Sequence, residues 1–250
     1  MFNFFKKDKS LTKIPKHIAF ICDGNRRWAE SRGMPPLFGH KAGISNFENL
    51  TKWFLNKGVE TITFFIFSTE NWSRTKEEVD FLMNLFYTEM KNNLKHAIKN
   101  NIRYRVVGSR DRLPKKLADI CDELEEKTSE NVSGTVVFAL NYGGQDEILN
   151  AVNEAIKNGQ VLNKEEFETF LDTSDLLPID LLVRTSNENR ISNFMLWKLA
   201  YAELLFIKPH WPEFVKSEKL WSFVLEEYSK RNRRFGGGKK LNYSGKKTKK

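Results

Sequence analysis

Cysteine is almost absent from this 250-residue chain. Only Cys22 and Cys121 occur, in neither paired nor metal-like spacing, which excludes a disulfide framework and fits a reduced, cytosolic setting. Long apolar runs are missing too. No stretch approaches the roughly 20 residues of a spanning helix, and residues 1–10 lack the apolar core and cleavage site of a secretory leader. A cytoplasmic location is expected, at most peripheral at the inner face of a membrane. The sequence also has no GxxxxGK[ST] loop, GxGxxG, HExxH or CxxC, so the common nucleotide and zinc signatures are excluded. Acid, finally, is absent from residues 230–250, which hold ten Lys or Arg. The formal net charge of +9 therefore belongs to that tail, and the rest of the chain is near neutral. A basic tail on a neutral body, with no recognition motif, argues against a nucleic-acid binder.

What is present is enough for one core. Hydrophobic residues make up 40% of the chain, and nothing in the composition demands two domains. Strand-like and helix-like patterns alternate, which predicts an α/β fold: a mostly parallel central sheet flanked by helices, in a single domain. Residues 14–237 are expected to form it, preceded by a basic and aromatic extension (1–13) and followed by a Lys-rich tail (238–250) too polar to order itself.

Three strand-like runs end in chemistry. Residues 18–22 stop at Asp23-Gly24-Asn25, turn chemistry, before Arg26 and Arg27 open a helical pattern. Such a junction suits phosphate: first-turn N–H groups attract an anion, glycine lets backbone approach, and Asp23 can hold a divalent cation against it. Residues 61–67 deliver Ser68, Asn71, Trp72 and Arg74, and residues 179–183 deliver Arg184, Arg190 and Ser192. In a parallel sheet all three sets share one rim. Arg184, Arg190 and Ser192 offer the forked donors and hydroxyl that a diphosphate requires, although a lone surface arginine is usually just solvated.

Other residues carry two readings at this stage. Glu203 could pair with Asp23 to hold Mg²⁺, or form a salt bridge with Lys198 or an arginine. His40 could donate to phosphate or move a proton, whereas His17, His96 and His210 are assigned nothing. The pattern further predicts helices over 41–57, 76–100, 114–131, 145–157, 194–202 and 217–234, with strands over 103–107, 135–141 and 204–207. The helix 76–100 has a broad apolar face that serves either a core or a lipid-sized cavity.

Taken together, HIAFICDGNRRWA (17–29), GHKAG (39–43), FSTENWSR (67–74), NYGG (141–144), RTSNENRISNFMLWKLAYAEL (184–204) and RRFGG (233–237) resemble the cis-prenyltransferase family. Within it they resemble the bacterial undecaprenyl diphosphate synthases, or isoprenyl transferases. The absence of a DDxxD motif separates the chain from trans-type prenyl synthases. The resemblance implies condensation of isopentenyl diphosphate onto an allylic diphosphate such as farnesyl diphosphate, with Mg²⁺, in a homodimer with an apolar tunnel. It assigns Mg²⁺ to Asp23 and Glu203, and the allylic diphosphate to Gly24, Asn25, Arg26, Arg27 and His40. Ser68 and Asn71 would assist condensation and proton removal, Trp72 and Arg74 would place the allylic substrate, and Arg184, Arg190 and Ser192 would hold isopentenyl diphosphate. RRFGG would reach across the dimer.

Three positions depart from the family pattern. Pro36 stands where many relatives carry an arginine, Asn187 replaces a glycine, and Ile66 stands where long-chain members tend to have alanine. The last points to a short-chain Z-prenyl diphosphate synthase as the alternative product class. A non-catalytic partner subunit is the alternative of another kind, opposed by the retained Asp23-Gly24-Asn25. The tail and the Phe-Lys start suit contact with anionic membrane.

Overall fold

Strands that are apolar on both faces must be covered on both faces. In the computed structural model, which describes residues 11–231, the strands are β1 (His17–Ile21), β2 (Thr61–Ser68), β3 (Arg103–Val107), β4 (Thr135–Tyr142), β5 (Leu181–Arg184) and β6 (Glu203–Phe206). They form one sheet in the order β3-β4-β2-β1-β5-β6, and every pairing is parallel. Every residue of β1 is buried.

Alternate residues build two cores. Phe20, Phe64, Val136 and Val183 join the larger one, which is closed by α3 (Phe47–Asn56), α4 (Lys76–Asn100), α5 (Lys115–Thr128) and α9 (Glu218–Lys230). Ala19, Ile21, Val137 and Leu182 face the other way, against Leu176, Phe194 and Leu199. On that side α6 (Gly144–Lys157) buries Ala151 and Ala155 but leaves Leu149, Val152 and Ile156 exposed.

Strand β1 is where the chain order reverses. β2, β4 and β3 lie to one side of it, β5 and β6 to the other. Open sheets of this kind bind ligands outside the carboxyl end of the strand at the reversal. β2 adds a second device at the same rim. Its register against β4 slips at Ile66, so Ile66 and Phe67 together oppose Leu140 and both pack on the larger core. A bulge of this type re-aims side chains beside a site.

Sequence patterning locates α4 and β3 to the residue, other elements shift at their ends, and three regions differ in kind. The stripe 41–57 is two helices, α2 (Pro36–Ile44) and α3, because Asn46 leaves the helical path to donate Nδ2 to the Val215 carbonyl (2.9 Å). α2 starts before the stripe because Pro36 suits a helix's first turn. The expected helix 194–202 is a series of turns. There Asn193 and Met195 have positive φ, and the Asn193 carbonyl is taken by the Gly144 N–H (2.6 Å), a tertiary contact that overrides propensity. A four-residue helix, α8 (Trp211–Phe214), was not anticipated. The remaining helices are α1 (Asn25–Glu30) and α7 (Lys164–Glu168).

α1 and α2 meet through glycine. A Cβ on Gly39 would lie 1.8 Å from the Asn25 carbonyl oxygen, so only a hydrogen fits between the two backbones. Gly39→Ala is expected to force the helices apart at a cost of about 1–3 kcal/mol. Urea unfolding measures this, and a loss within error of zero would contradict the close approach.

Candidate functional site

The end of β1 is clamped by its backbone. The Asp23 carbonyl accepts hydrogen bonds from Thr185 Oγ1 (2.7 Å), Ser186 Oγ (2.8 Å) and the Trp211 N–H (2.9 Å). Gly24 follows at φ 96°, in the left-handed region. A Cβ there would also meet Ser186 Oγ at 1.9 Å and His210 Nδ1 at 2.5 Å. Both conformation and space therefore demand glycine at the entrance to α1. His210, to which the sequence assigned nothing, completes this packing through a 2.8 Å contact with Ser186 Oγ.

The Asp23 side chain meets β5. Arg184 is 4% exposed, so its charge must be paired where water is excluded. Nε and Nη2 both reach Asp23 Oδ2, at 2.8 and 2.7 Å. Nη1 donates to Ser192 Oγ (2.8 Å) and to the Arg190 carbonyl. Asp23 itself is 34% exposed, and its Oδ1 has no partner among the described residues. One oxygen thus holds the arginine while the other stays open.

The neighbouring cations are held by acids that sequence reasoning missed. Buried Glu78 receives Arg26 (3.2 Å) and Arg74 (3.0 Å), with His40 Nε2 at 3.9 Å. Glu188 binds Arg27 (2.9 Å) and Arg190 (2.5 Å). The signal for Glu78 was masked, because Thr75-x-x-Glu78 reads as a helix capping box. Thr75 does cap the helix, accepting the Glu78 N–H at 3.3 Å, but the carboxylate turns to the arginines instead. Ser68 and Asn71 form a true capping box on the 3-10 turn Thr69–Ser73, in which Asn71 Oδ1 accepts the Ser68 N–H at 3.2 Å.

These groups surround one cleft of about 370 Å³. Asp23, Gly24, Asn25, Arg26, Arg27, His40, Ser68, Asn71, Arg74, Arg184 and Ser192 form its polar part, and Phe47, Phe64, Leu82, Phe86, Met90 and Phe138 continue the wall. Two buried polar atoms at the cleft, His40 Nε2 and Asn25 Oδ1, lack hydrogen-bond partners among the described residues. Such orphans mark places a polar ligand or water would satisfy. The thiol beside the site is inert: burial, then the Asp23 charge, pushes Cys22 well up.

Three expected residues lie elsewhere. Trp72 is outside the cleft lining; its indole donates to Asn141 Oδ1 (2.7 Å) and stacks under Arg112, 4.5 Å from the ring centre. Arg190 is largely exposed at the rim and joins the site through its carbonyl and Glu188. Glu203 opens β6, level with Leu181 and hence with Ile18. That is the opposite edge from Asp23, roughly 16 Å along the strands and two strands away, so the two carboxylates of one chain do not share an ion. Glu203 pairs with Arg231 (2.9 Å), while Lys198 donates to the Leu176 carbonyl. The RRFGG stretch lies outside the described residues.

Two histidines make stability pH-dependent. Burial drives His40 down to about 4, helped by Arg74 and Arg26. Burial also drives His17 down to about 4, against its contact with the Leu177 carbonyl. Both are neutral in the folded protein, whereas an unfolded histidine titrates near 6.5. Between those values the unfolded chain binds more protons, so stability is complete above about pH 6.5 and falls as pH drops. Urea unfolding between pH 7 and 5 should lose on the order of 1 kcal/mol per unit for each histidine. A flat profile would contradict their neutrality.

The family model described as "Putative undecaprenyl diphosphate synthase" matches residues 21–236. The isoprenyl transferase of Thermotoga maritima is 44% identical over 230 residues, covering 90% of this chain and 98% of the relative. Among solved structures, lavandulyl diphosphate synthase from Lavandula x intermedia, in complex with dimethylallyl diphosphate, aligns with a TM-score of 0.84 and 30% identity over 92% of this chain and 100% of that one. A "probable undecaprenyl diphosphate synthase" from Campylobacter jejuni aligns with a TM-score of 0.77 and 32% identity over 90% of this chain and 100% of that one. By these matches the chain belongs to the undecaprenyl diphosphate synthase (isoprenyl transferase) family of cis-prenyltransferases.

Proposed function

We propose that this chain condenses isopentenyl diphosphate onto an allylic diphosphate, with farnesyl diphosphate as primer, and extends it to undecaprenyl diphosphate or a similar polyprenyl diphosphate. The observation that carries the proposal is the convergence at one cleft of Arg26, Arg27 and Arg74 with Arg184 and Asp23, and with Arg190 at the outer rim, tied in through its carbonyl. Two diphosphates need such a convergence of positive charge. Gly24 to Arg27 and His40 would bind the allylic diphosphate and stabilise the charge that grows on its oxygens as it leaves. Neutral His40 serves as a hydrogen-bond donor there. Arg184, Arg190 and Ser192 would hold isopentenyl diphosphate, so that the reacting carbons are kept together. Ser68 and Asn71 stand beside them to assist loss of the proton that creates the new double bond.

The residues fit Mg²⁺ only in the company of substrate. Asp23 offers one open carboxylate oxygen, and no cluster of three or more ligating side chains occurs among the described residues. Mg²⁺ is commonly held by one or two carboxylates with phosphate oxygens and water. When bound, it would neutralise diphosphate charge. Arg26 and Arg74 stand ready to supply positive charge that Pro36 does not.

The short-chain alternative rests on Ile66, which the β2 bulge turns toward the cleft, and on the likeness to a lavandulyl diphosphate synthase. The test is incubation with farnesyl diphosphate, labelled isopentenyl diphosphate and Mg²⁺, followed by chain-length analysis. Incorporation is expected, and its absence from folded protein would sink the proposal. Asp23→Asn, which keeps the shape beside Arg184, should reduce turnover on the order of 100-fold or more. Asp23→Ala is a poorer probe, because it strands the buried Arg184 charge.

The homodimer has a surface to use. Leu149, Val152 and Ile156 share one face of α6 and are exposed, an unpartnered apolar stripe of the kind subunits bury. Leu149→Glu with Ile156→Lys should shift the light-scattering mass from dimer to monomer; an unchanged mass would remove this face from the interface. No described helix is long and apolar enough to cross a membrane. The segments proposed to touch anionic lipid lie outside the described residues.

A further inference from the structure

One acid in the cleft has no counterpart in the chemistry above. Glu89 lies on α4 among the residues that line the cavity, between Phe86 and Met90. Two acids of the first turns are paired, Glu78 with Arg26 and Arg74 and Asp80 with Lys76, and Glu77 is exposed to water, away from the cavity lining. Glu89 is half-buried, and its carboxylate has no hydrogen-bond or ion-pair partner among the described residues. Its neighbours three and four residues away, Leu85, Phe86, Asn92 and Asn93, include no cation. Burial, uncompensated by any opposite charge, raises its pKa above the ordinary value. One further polar group lies one turn on: buried Asn93 donates to the Glu89 carbonyl (2.8 Å) and receives the Tyr104 hydroxyl (3.4 Å).

Distance gives this placement a meaning. Glu78 marks the cationic rim, and eleven residues of helix separate it from Glu89, roughly 16 Å of axial rise. An extended chain advances roughly 1.2 Å per bond, so an isoprene unit of four chain bonds advances roughly 5 Å. Three units reach from the rim to Glu89, and every later unit must pass it. Passing it means covering an unpaired carboxylate with hydrocarbon, which is strongly unfavourable.

Building on the condensation reading above, we propose that Glu89 is a specificity-determining residue: its carboxylate marks a length boundary in the apolar wall, where growth of the isoprenoid slows. The charge, not the bulk, is the obstacle. Glu89→Gln keeps the size and removes the charge, and Glu89→Leu removes the polarity as well. In the assay with farnesyl diphosphate and isopentenyl diphosphate, both variants should raise the ratio of longer to shorter products, on the order of tenfold for Glu89→Leu.

A binding measurement separates this proposal from the synthase reading. Affinities of the full chain for n-alkyl diphosphates of increasing length should climb until the tail reaches Glu89 and then level off or fall. For Glu89→Gln and Glu89→Leu they should go on climbing. Parallel curves for all three proteins, with unchanged circular dichroism, overturn the proposal. A break in the wild-type curve that both variants remove sustains it, even where no isopentenyl diphosphate is incorporated and the synthase reading fails.

Discussion

The Asp23–Arg184 pair is the contact on which the rest of the site hangs. It joins the ends of β1 and β5, the two strands on either side of the reversal in the sheet. A buried guanidinium cannot stand alone, and Asp23 answers it with a single oxygen. That economy matters because the carboxylate then does two things at once. One oxygen fixes the fold at the rim, and the other remains exposed for a ligand. The clamp on the Asp23 carbonyl by Thr185, Ser186 and Trp211 serves the same end, since it stops the main chain from following the side chain.

The segment after β5 is held in a demanding conformation by this arrangement. Ser186, Asn187, Ser192, Asn193 and Met195 all have positive φ. Each such residue costs on the order of 1 kcal/mol, more for those without a compensating side-chain contact. Asparagine at 187 and 193 tolerates the left-handed region, and the Arg184 guanidinium and Gly144 backbone tie down Ser192 and Asn193. Strain of this size persists only where the surroundings over-determine it, and such places cluster at ligand clamps.

How much of this was legible in the sequence depends on the range of the forces involved. α4 and β3 were readable because their patterns are local, and the rim was readable because Asp23, Ser68 and Arg184 each follow an apolar run. The turns over 194–202 were not, since they answer to Gly144, fifty residues away. Glu78 was hidden behind a motif that explained it too cheaply. Glu203 is the instructive case. It opens its strand whereas Asp23 follows its own and Ser68 and Arg184 close theirs, and in a parallel sheet that order alone places it on the far edge.

The bulge at Ile66 is a detour that closes on itself. One extra residue in β2 at Ile66 is answered one step later by one in β4 at Asn141, so Ser68 stands opposite Tyr142 in the same register as Phe65 opposite Ala139. The detour turns both Ile66 and Phe67 onto the cavity side, while the strand end that carries Ser68 and the following turn stays where an unbroken ladder would put it. Bore and rim are therefore separable: side chains at 66 and 67 can change the width of the cavity and leave the polar rim in place.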